Sequence, residues 1–141
     1  VEAESRKIGR LHVPDALIER IRDGECLSID ATLAARVAFL LTDYDYFLKM
    51  PALLGERLMV LKNLVSRKTL ERWHQMIAAG EWPSLVRALL EEHYDPLYYR
   101  SQNHNFSGHR SAGIFPTDDL SATGIADIAA RIVHSRTAQI A

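Results

Sequence analysis

The chain is poor in cysteine, in long apolar runs and in excess charge of either sign. Cys26 is its one cysteine, so it cannot form an internal disulfide or a zinc site of several thiolates, and a cytoplasmic location is expected. No apolar stretch approaches the ~18 residues of a membrane span, so no membrane partner is expected. Lys and Arg number 17 against 18 Asp and Glu. This balance excludes a basic coat over the whole protein, so any nucleic-acid surface must be local.

Phosphate-binding loops are missing as well. The sequence contains neither GxxxxGK[ST] nor GxGxxG, the glycine-rich patterns that cradle phosphates. It begins at Val1 rather than at Met, and residues 1–4 have the character of a strand end. We therefore expect the chain to be a piece of a longer protein, with the missing N-terminal part of that protein as a partner.

What is present is the composition of one packed domain, with 48% hydrophobic and 25% charged residues. Strand patterns occur at residues 1–4, at 25–30, which we expect to be buried, and at 112–115. Residues 5–12 and 101–113 have the composition of loops. Strands that alternate with helices predict an α/β fold with a parallel sheet. A large helical insertion at about residues 32–100 is expected to interrupt it.

The helical block has the clearest periodicity. Its first helix is expected to run to Met50, before Pro51, while Ser66 begins and Gly80 ends a later helix. Asp95-Pro96 is expected to break the last helix of the block. The predicted buried face of the first helix consists of Leu33, Val37, Leu40, Leu41, Tyr44, Phe47 and Leu48. A final helix begins after Ser121, and its predicted inward face consists of Ile125, Ile128, Ile132 and Val133.

Charged residues follow the first predicted strand, namely Glu2, Glu4 and Arg6. The carboxyl ends of strands line the ligand crevice of open α/β sheets. A carboxylate there can hold Mg²⁺ or act as a base, and an arginine can grip phosphate with two donors. Arg36, which follows the second predicted strand, is expected near the same edge. The alternatives are a solvated turn for the first group, and for Arg36 a solvated helix face or an ion pair with Asp30.

Residues 93–100 form a dense group of aromatic and charged side chains that could stack bases, but we interpret it mainly as a tertiary anchor through Asp95. Arg67 and Lys68 belong to a basic stretch that suits an RNA backbone or a solvated helix face. Cys26 is interpreted as buried filler rather than as a nucleophile. With His104 and His109 it matches no common zinc spacing, so no metal site is predicted from spacing.

Two stretches carry a family resemblance. Residues 1–9, VEAESRKIG, with VP at 13–14, and residues 89–98, LLEEHYDPLY, resemble two motifs of bacterial tRNA 2-selenouridine synthases. The resemblance runs through most of the chain in the right order and is weakest over residues 103–141. The two motifs are specific together, whereas either one alone would not be.

The resemblance implies a rhodanese-like domain with a catalytic cysteine, followed by a P-loop NTPase-like domain. Residues 1–141 would be the C-terminal portion of the second domain, so both the rhodanese domain and the P-loop would be absent from this chain. Cys26 does not match the catalytic cysteine. The implied enzyme replaces sulfur by selenium in wobble 2-thiouridine of tRNA through an S-geranylated intermediate. Selenophosphate and geranyl diphosphate would be its substrates, with no tightly bound cofactor, and this fragment alone would be inactive.

The resemblance favours the functional interpretation of Glu4 and Arg6 over that of a solvated turn. We expect Glu4 to be catalytic, and Arg6 and Arg36 to bind diphosphate or RNA phosphate. The expected tRNA contacts are Arg10, Arg67, Lys68 and Arg100. Two other functional classes stay open: a P-loop-type nucleotide kinase or ATPase, and a non-catalytic RNA-binding module.

Overall fold

A computed structural model describes residues 6–138. The described chain is mostly helical and has a small parallel sheet, which makes it an α/β fold. Its strands are β1 (Lys7–Ile8), β2 (Leu11–His12), β3 (Leu27–Ala31) and β4 (Gly113–Thr117). Its α-helices are α1 (Asp15–Arg22), α2 (Leu33–Asp43), α3 (Asp45–Leu48), α4 (Pro51–Leu58), α5 (Arg67–Ala79), α6 (Trp82–Leu89), α7 (Asp95–Asn105) and α8 (Ala122–Ala138). Shorter turns are the 3-10 segments Met59–Asn63 and His109–Ser111 and the π-helical turn Leu90–Tyr94.

The parallel sheet joins two strands that are far apart in sequence. β3 pairs with β4 from Leu27 opposite Gly113 to Ala31 opposite Thr117, which confirms the predicted parallel arrangement. The Thr32 amide extends the ladder by donating to the Thr117 carbonyl over 2.9 Å. The prediction that β3 is buried is wrong, because Ile29 is 53% exposed. Only two strands pair in the described sheet, so its faces are not covered as in a large parallel sheet.

Residues 5–12 were expected to form a loop, but β1 and β2 form a small antiparallel hairpin. Gly9 has a φ of +59° and is the first residue of the two-residue connection, a position where type II′ hairpin turns favour glycine. The amide of Val13 closes the base of the hairpin by donating to the Arg6 carbonyl over 2.8 Å. This hairpin is a separate sheet from β3 and β4.

The helical core lies between α4, α5 and α6. Its buried residues are Leu58, Trp73, Ile77, Leu85 and Ala88. The ends of α5 are set by local chemistry, as the sequence predicts. The Ser66 hydroxyl accepts from the Thr69 amide over 3.1 Å, and Gly80 ends the helix with a φ of +70°.

The first predicted helix of the block is interrupted. Tyr44 leaves helical geometry at φ −109° and ψ 28°, so α2 and α3 are separate helices. Of the predicted buried face, Val37 is buried, Tyr44 is 44% exposed, and the others are intermediate. These half-buried side chains border an apolar groove rather than a filled core.

The break expected at Asp95-Pro96 is absent. The chain continues from α6 through the π-helical turn into α7, and Pro96 lies in the first turn of α7. Helix α7 also extends to Asn105, so the loop expected at 101–113 is shorter. Helices and helical turns therefore occupy most of residues 33–105.

Helix α8 packs against β4. Its start is capped as expected, since the Ser121 hydroxyl accepts from the Gly124 amide over 3.3 Å. Ile128 is buried, but Ile125 and Val133 are 50% and 63% exposed, so only part of the predicted inward face is correct. Within residues 6–138, no helix is long and apolar enough to cross a membrane.

Candidate functional site

A bidentate, partly buried ion pair joins α2 and α7. The Arg36 guanidinium donates to both carboxylate oxygens of Asp95, at 2.7 and 2.8 Å. The two side chains are 30% and 22% exposed. These hydrogen bonds raise the pKa of Arg36 above its ordinary value. The third donor, Nε, is buried and has no hydrogen-bond partner among the described residues.

The ion-pair partner of Arg36 differs from the one considered from the sequence. The ion pair considered for it was with Asp30, whereas the observed partner is Asp95, 59 residues later. Both terminal nitrogens face a carboxylate, so a phosphate would have to share or displace Asp95. The contacts of Asp95 are those of a tertiary anchor, although it ties α7 to helix α2 rather than to the sheet.

The carboxyl end of the parallel strand pair is acidic. Asp30, Thr32, Thr117 and Asp118 line a shallow depression of about 380 Å³ there. Thr32 also caps α2, since its hydroxyl accepts from an amide one turn on. Asp119, just beyond, accepts from the Ser121 amide and hydroxyl, which lower the pKa of Asp119. The described residues contain no group of three or more His, Cys, Asp or Glu side chains placed to hold a metal ion.

Of the N-terminal candidates, Arg6 and Arg10 lie at the base and the turn of the β1–β2 hairpin, which is a separate sheet from β3 and β4. Glu4, and the strand expected at residues 1–4, lie outside the described residues. Arg6 forms an ion pair with Asp15 at the start of α1. Their side chains are 53% and 79% exposed, so the pair is open to solvent. Arg10 is exposed at the turn of the β1–β2 hairpin.

The other predicted RNA-facing cations lie on two helices. Arg67 donates to Glu71 over 2.7 Å, and Lys68 is exposed beside it on α5. Arg100 is exposed on α7. Arg72 of α5 also pairs with Glu92 of the π-helical turn, a contact that sequence spacing does not reveal. The resulting surface of α5 is of mixed charge rather than strongly basic.

The aromatic group at the start of α7 divides into two environments. His93 is buried, and the His93 ring meets the ring of Tyr94 edge-on at 5.0 Å between centroids. Tyr94 is 54% exposed, and Tyr98 and Tyr99 are exposed as well. Cys26 is half-buried rather than fully buried.

The N-terminal part of the chain is similar to a known protein family. Residues 1–52 match the family model of the tRNA 2-selenouridine synthase AAA domain. Over these residues the match confirms the resemblance to tRNA 2-selenouridine synthases. No match was found among curated proteins or among solved structures. The matched segment contains Glu4, Arg6, Arg10 and Arg36, whereas the motif at 89–98, Arg67, Lys68 and Arg100 lie beyond it.

Proposed function

We propose that this chain is part of an enzyme that replaces sulfur by selenium in the wobble 2-thiouridine of tRNA. The observation that carries the proposal is the family match over residues 1–52. In this proposal the chain is the C-terminal portion of a P-loop NTPase-like domain, and tRNA, selenophosphate and geranyl diphosphate are substrates rather than tightly bound cofactors. The enzyme would act in the cytoplasm.

The proposed chemistry has two steps. The sulfur of 2-thiouridine attacks C1 of the geranyl group, and diphosphate leaves. The selenium of selenophosphate then attacks C2 of the base and geranyl thiolate leaves, to be protonated, while water releases the phosphoryl group as phosphate. Alkylation helps the second step because a thioether sulfur is a better leaving group than a thiocarbonyl sulfur.

Most of the proposed site residues of this chain would bind substrates rather than take part in forming or breaking covalent bonds. Arg6 is exposed and shares its guanidinium with one exposed carboxylate, so a diphosphate or an RNA phosphate can compete for it. Arg36 would act at the start of α2, with Asp95 as its resting partner. Glu4 is the proposed catalytic carboxylate or Mg²⁺ ligand. Arg10 and the cations of α5 and α7 would contact the tRNA backbone.

The open sheet fits a chain that packs against further parts of the same protein. Ile29 on β3 is 53% exposed and Ile114 on β4 is 66% exposed. Parallel strands are ordinarily covered on both faces. In this proposal, the parts that would cover the sheet are a rhodanese domain and the half of this domain that carries the P-loop.

The test uses the full-length enzyme and tRNA that carries 2-thiouridine. Incubation with geranyl diphosphate should give a nucleoside heavier by one geranyl group, and further incubation with selenophosphate should give 2-selenouridine, both measured by mass spectrometry of digested tRNA. tRNA with an unmodified wobble uridine is the control and should be unchanged. An unchanged 2-thiouridine tRNA together with tRNA-independent ATP hydrolysis would instead identify a kinase or ATPase. Binding of tRNA without any affinity for diphosphate would identify an RNA-binding module.

A further inference from the structure

An apolar groove is lined by residues of helices α2, α3, α4 and α6. Its cavity measures about 640 Å³, within the size range of small-molecule sites. Its lining includes Leu40, Phe47, Leu61, Trp82 and Val86. Such a surface, unfilled by the chain itself, suits an aliphatic ligand.

Polar groups in this groove are few. Of the sixteen lining residues, Arg57 is the one with a charge, and Tyr44 and Tyr94 supply hydroxyls. Arg57 is exposed on α4, and no carboxylate of residues 6–138 lies within ion-pair distance of it. An apolar groove with one uncompensated guanidinium complements a chain that carries an anionic head.

The backbone beside the groove is irregular. The π-helical turn Leu90–Tyr94 follows α6 directly, and both of its end residues line the groove. Turns of this kind are frequent at functional sites. Through this turn the exposed Tyr94 reaches a groove that α6 lines with apolar side chains.

We infer that this groove binds the branched hydrocarbon chain of an allylic diphosphate, with its anionic head toward Arg57. The inference rests on the proposed function, which requires such a substrate, and it adds the location of the hydrocarbon. The cation that meets the head in this groove is Arg57 rather than Arg6 or Arg36. On this inference those two arginines would contact RNA phosphate, the second role proposed for them.

The chain carries its own reporter for this binding. Trp82 lines the groove, whereas Trp73 is fully buried in the core. Geranyl diphosphate titrated into the full-length protein should change tryptophan fluorescence saturably, and Trp82→Phe should remove that change. Inorganic diphosphate should produce none of it. Geraniol should produce it at concentrations at least about tenfold higher, because it lacks the head that the guanidinium attracts.

Variants then test the two ends of the ligand. Val86→Phe should fill the groove and weaken binding of geranyl diphosphate by about tenfold or more. Arg57→Gln should weaken geranyl diphosphate by about fivefold or more while leaving geraniol unchanged. Lys62→Gln is the matched control, since Lys62 is an exposed cation close by in sequence but outside the groove lining, and it should change neither affinity. Circular dichroism and unchanged melting establish that each variant is folded.

Three outcomes would overturn the inference. Geranylation of tRNA that continues while Val86→Phe and Arg57→Gln bind geranyl diphosphate normally would place the hydrocarbon elsewhere and leave the proposed function standing. Absence of any Trp82 response, with Trp82 shielded from acrylamide in the full-length protein, would show that another protein segment fills the groove. A response equal for geranyl diphosphate and inorganic diphosphate would show an anion site without a hydrocarbon site. By contrast, a Trp82 response abolished by Val86→Phe in a protein that never geranylates tRNA would support the groove and refute the proposed chemistry.

Discussion

Removing the carboxylate of Asp95 is expected to destabilise the protein more than it weakens tRNA binding. Breaking a fully buried ion pair costs about 3–5 kcal/mol, whereas exposed pairs contribute about 0–1 kcal/mol. The Arg36–Asp95 pair is bidentate, but its side chains are 30% and 22% exposed. An intermediate loss of about 2 kcal/mol is therefore expected for Asp95→Ala, because Arg36 would be left half-buried without its partner. For a chain of 141 residues, this corresponds to a fall in Tm of about 4–8 °C.

A double-mutant cycle measures the part of this loss that belongs to the pair. Asp95→Ala, Arg36→Ala and the double variant are compared by urea unfolding, and a coupling of about 1 kcal/mol is expected. The control cycle uses Arg67 and Glu71, whose side chains are 92% and 55% exposed. That pair lies four residues apart on one helix, so its coupling should be about 0.3–0.5 kcal/mol. The same variants are then assayed for tRNA affinity in the full-length enzyme.

Two results would refute the role of Asp95 as an anchor for α7. If Asp95→Ala melts like the wild type but no longer binds tRNA, the carboxylate and its neighbours contact RNA and do not anchor α7. If Arg36→Ala loses affinity for diphosphate while the coupling with Asp95 is near zero, Arg36 is primarily a ligand. In that case the bidentate contact is a resting arrangement that substrate replaces at little cost.

Three further predictions test the N-terminal site and the start of α8. Arg6→Lys retains the charge but loses the two-pronged donor, so geranyl diphosphate or tRNA use by the full-length enzyme should fall by about tenfold or more; wild-type rates in a stable variant would return Arg6 to a solvated turn. Gly124→Ala would place its new carbon against the carbonyl oxygen of Asp119 and 2.6 Å from the carboxyl carbon of Asp119, so chemical denaturation should show a loss of about 1–3 kcal/mol. Gly55→Ala, which meets only a histidine ring at 3.7 Å, should instead gain up to ~1 kcal/mol, and equal effects at the two sites would contradict the steric explanation. The lowered pKa of Asp119 means that its stabilisation is fully present above about pH 4, its unfolded pKa, and is lost as the pH falls through the lower folded value. The Tm gap between wild type and Asp119→Asn should therefore narrow as the pH falls below about 4, and a gap that stays constant would exclude this origin.

Features set by local chemistry could be predicted from the sequence. The hydroxyl of Ser66, the positive φ at Gly80 and the cap at Ser121 each depend on the backbone within one turn. The mistaken break at Asp95-Pro96 shows the limit of such rules. A proline in the first turn of a helix is compatible with a chain that is already helical before it, and here a π-helical turn supplies that continuity.

Features set by contacts distant in sequence could not be predicted in this way. Nothing near Arg36 identifies Asp95 as its partner, since the two are 59 residues apart. The exposure of Ile29 has the same origin, because apolar alternation predicts a strand but not how many strands lie beside it. The apolar groove is a third feature that depends on distant contacts. The pattern correctly identified a common apolar face on α2 and α3, but the assumption that an apolar face must be filled by the chain itself was wrong.

The Arg36–Asp95 bond joins the two regions in which chemistry is proposed. Arg36 lies in the first turn of α2, which begins directly after Thr32. The Thr32 amide binds β4 at the carboxyl end of the sheet. Asp95 follows Tyr94, the last residue of the π-helical turn that lines the groove. The bond therefore fixes the groove-lining turn relative to the sheet edge. It also joins Arg36, which lies within the matched residues 1–52, to a carboxylate that lies outside them. It follows that Asp95→Ala should weaken the Trp82 response to geranyl diphosphate even though Asp95 does not line the groove, whereas loss of the exposed Arg67–Glu71 pair should leave that response unchanged.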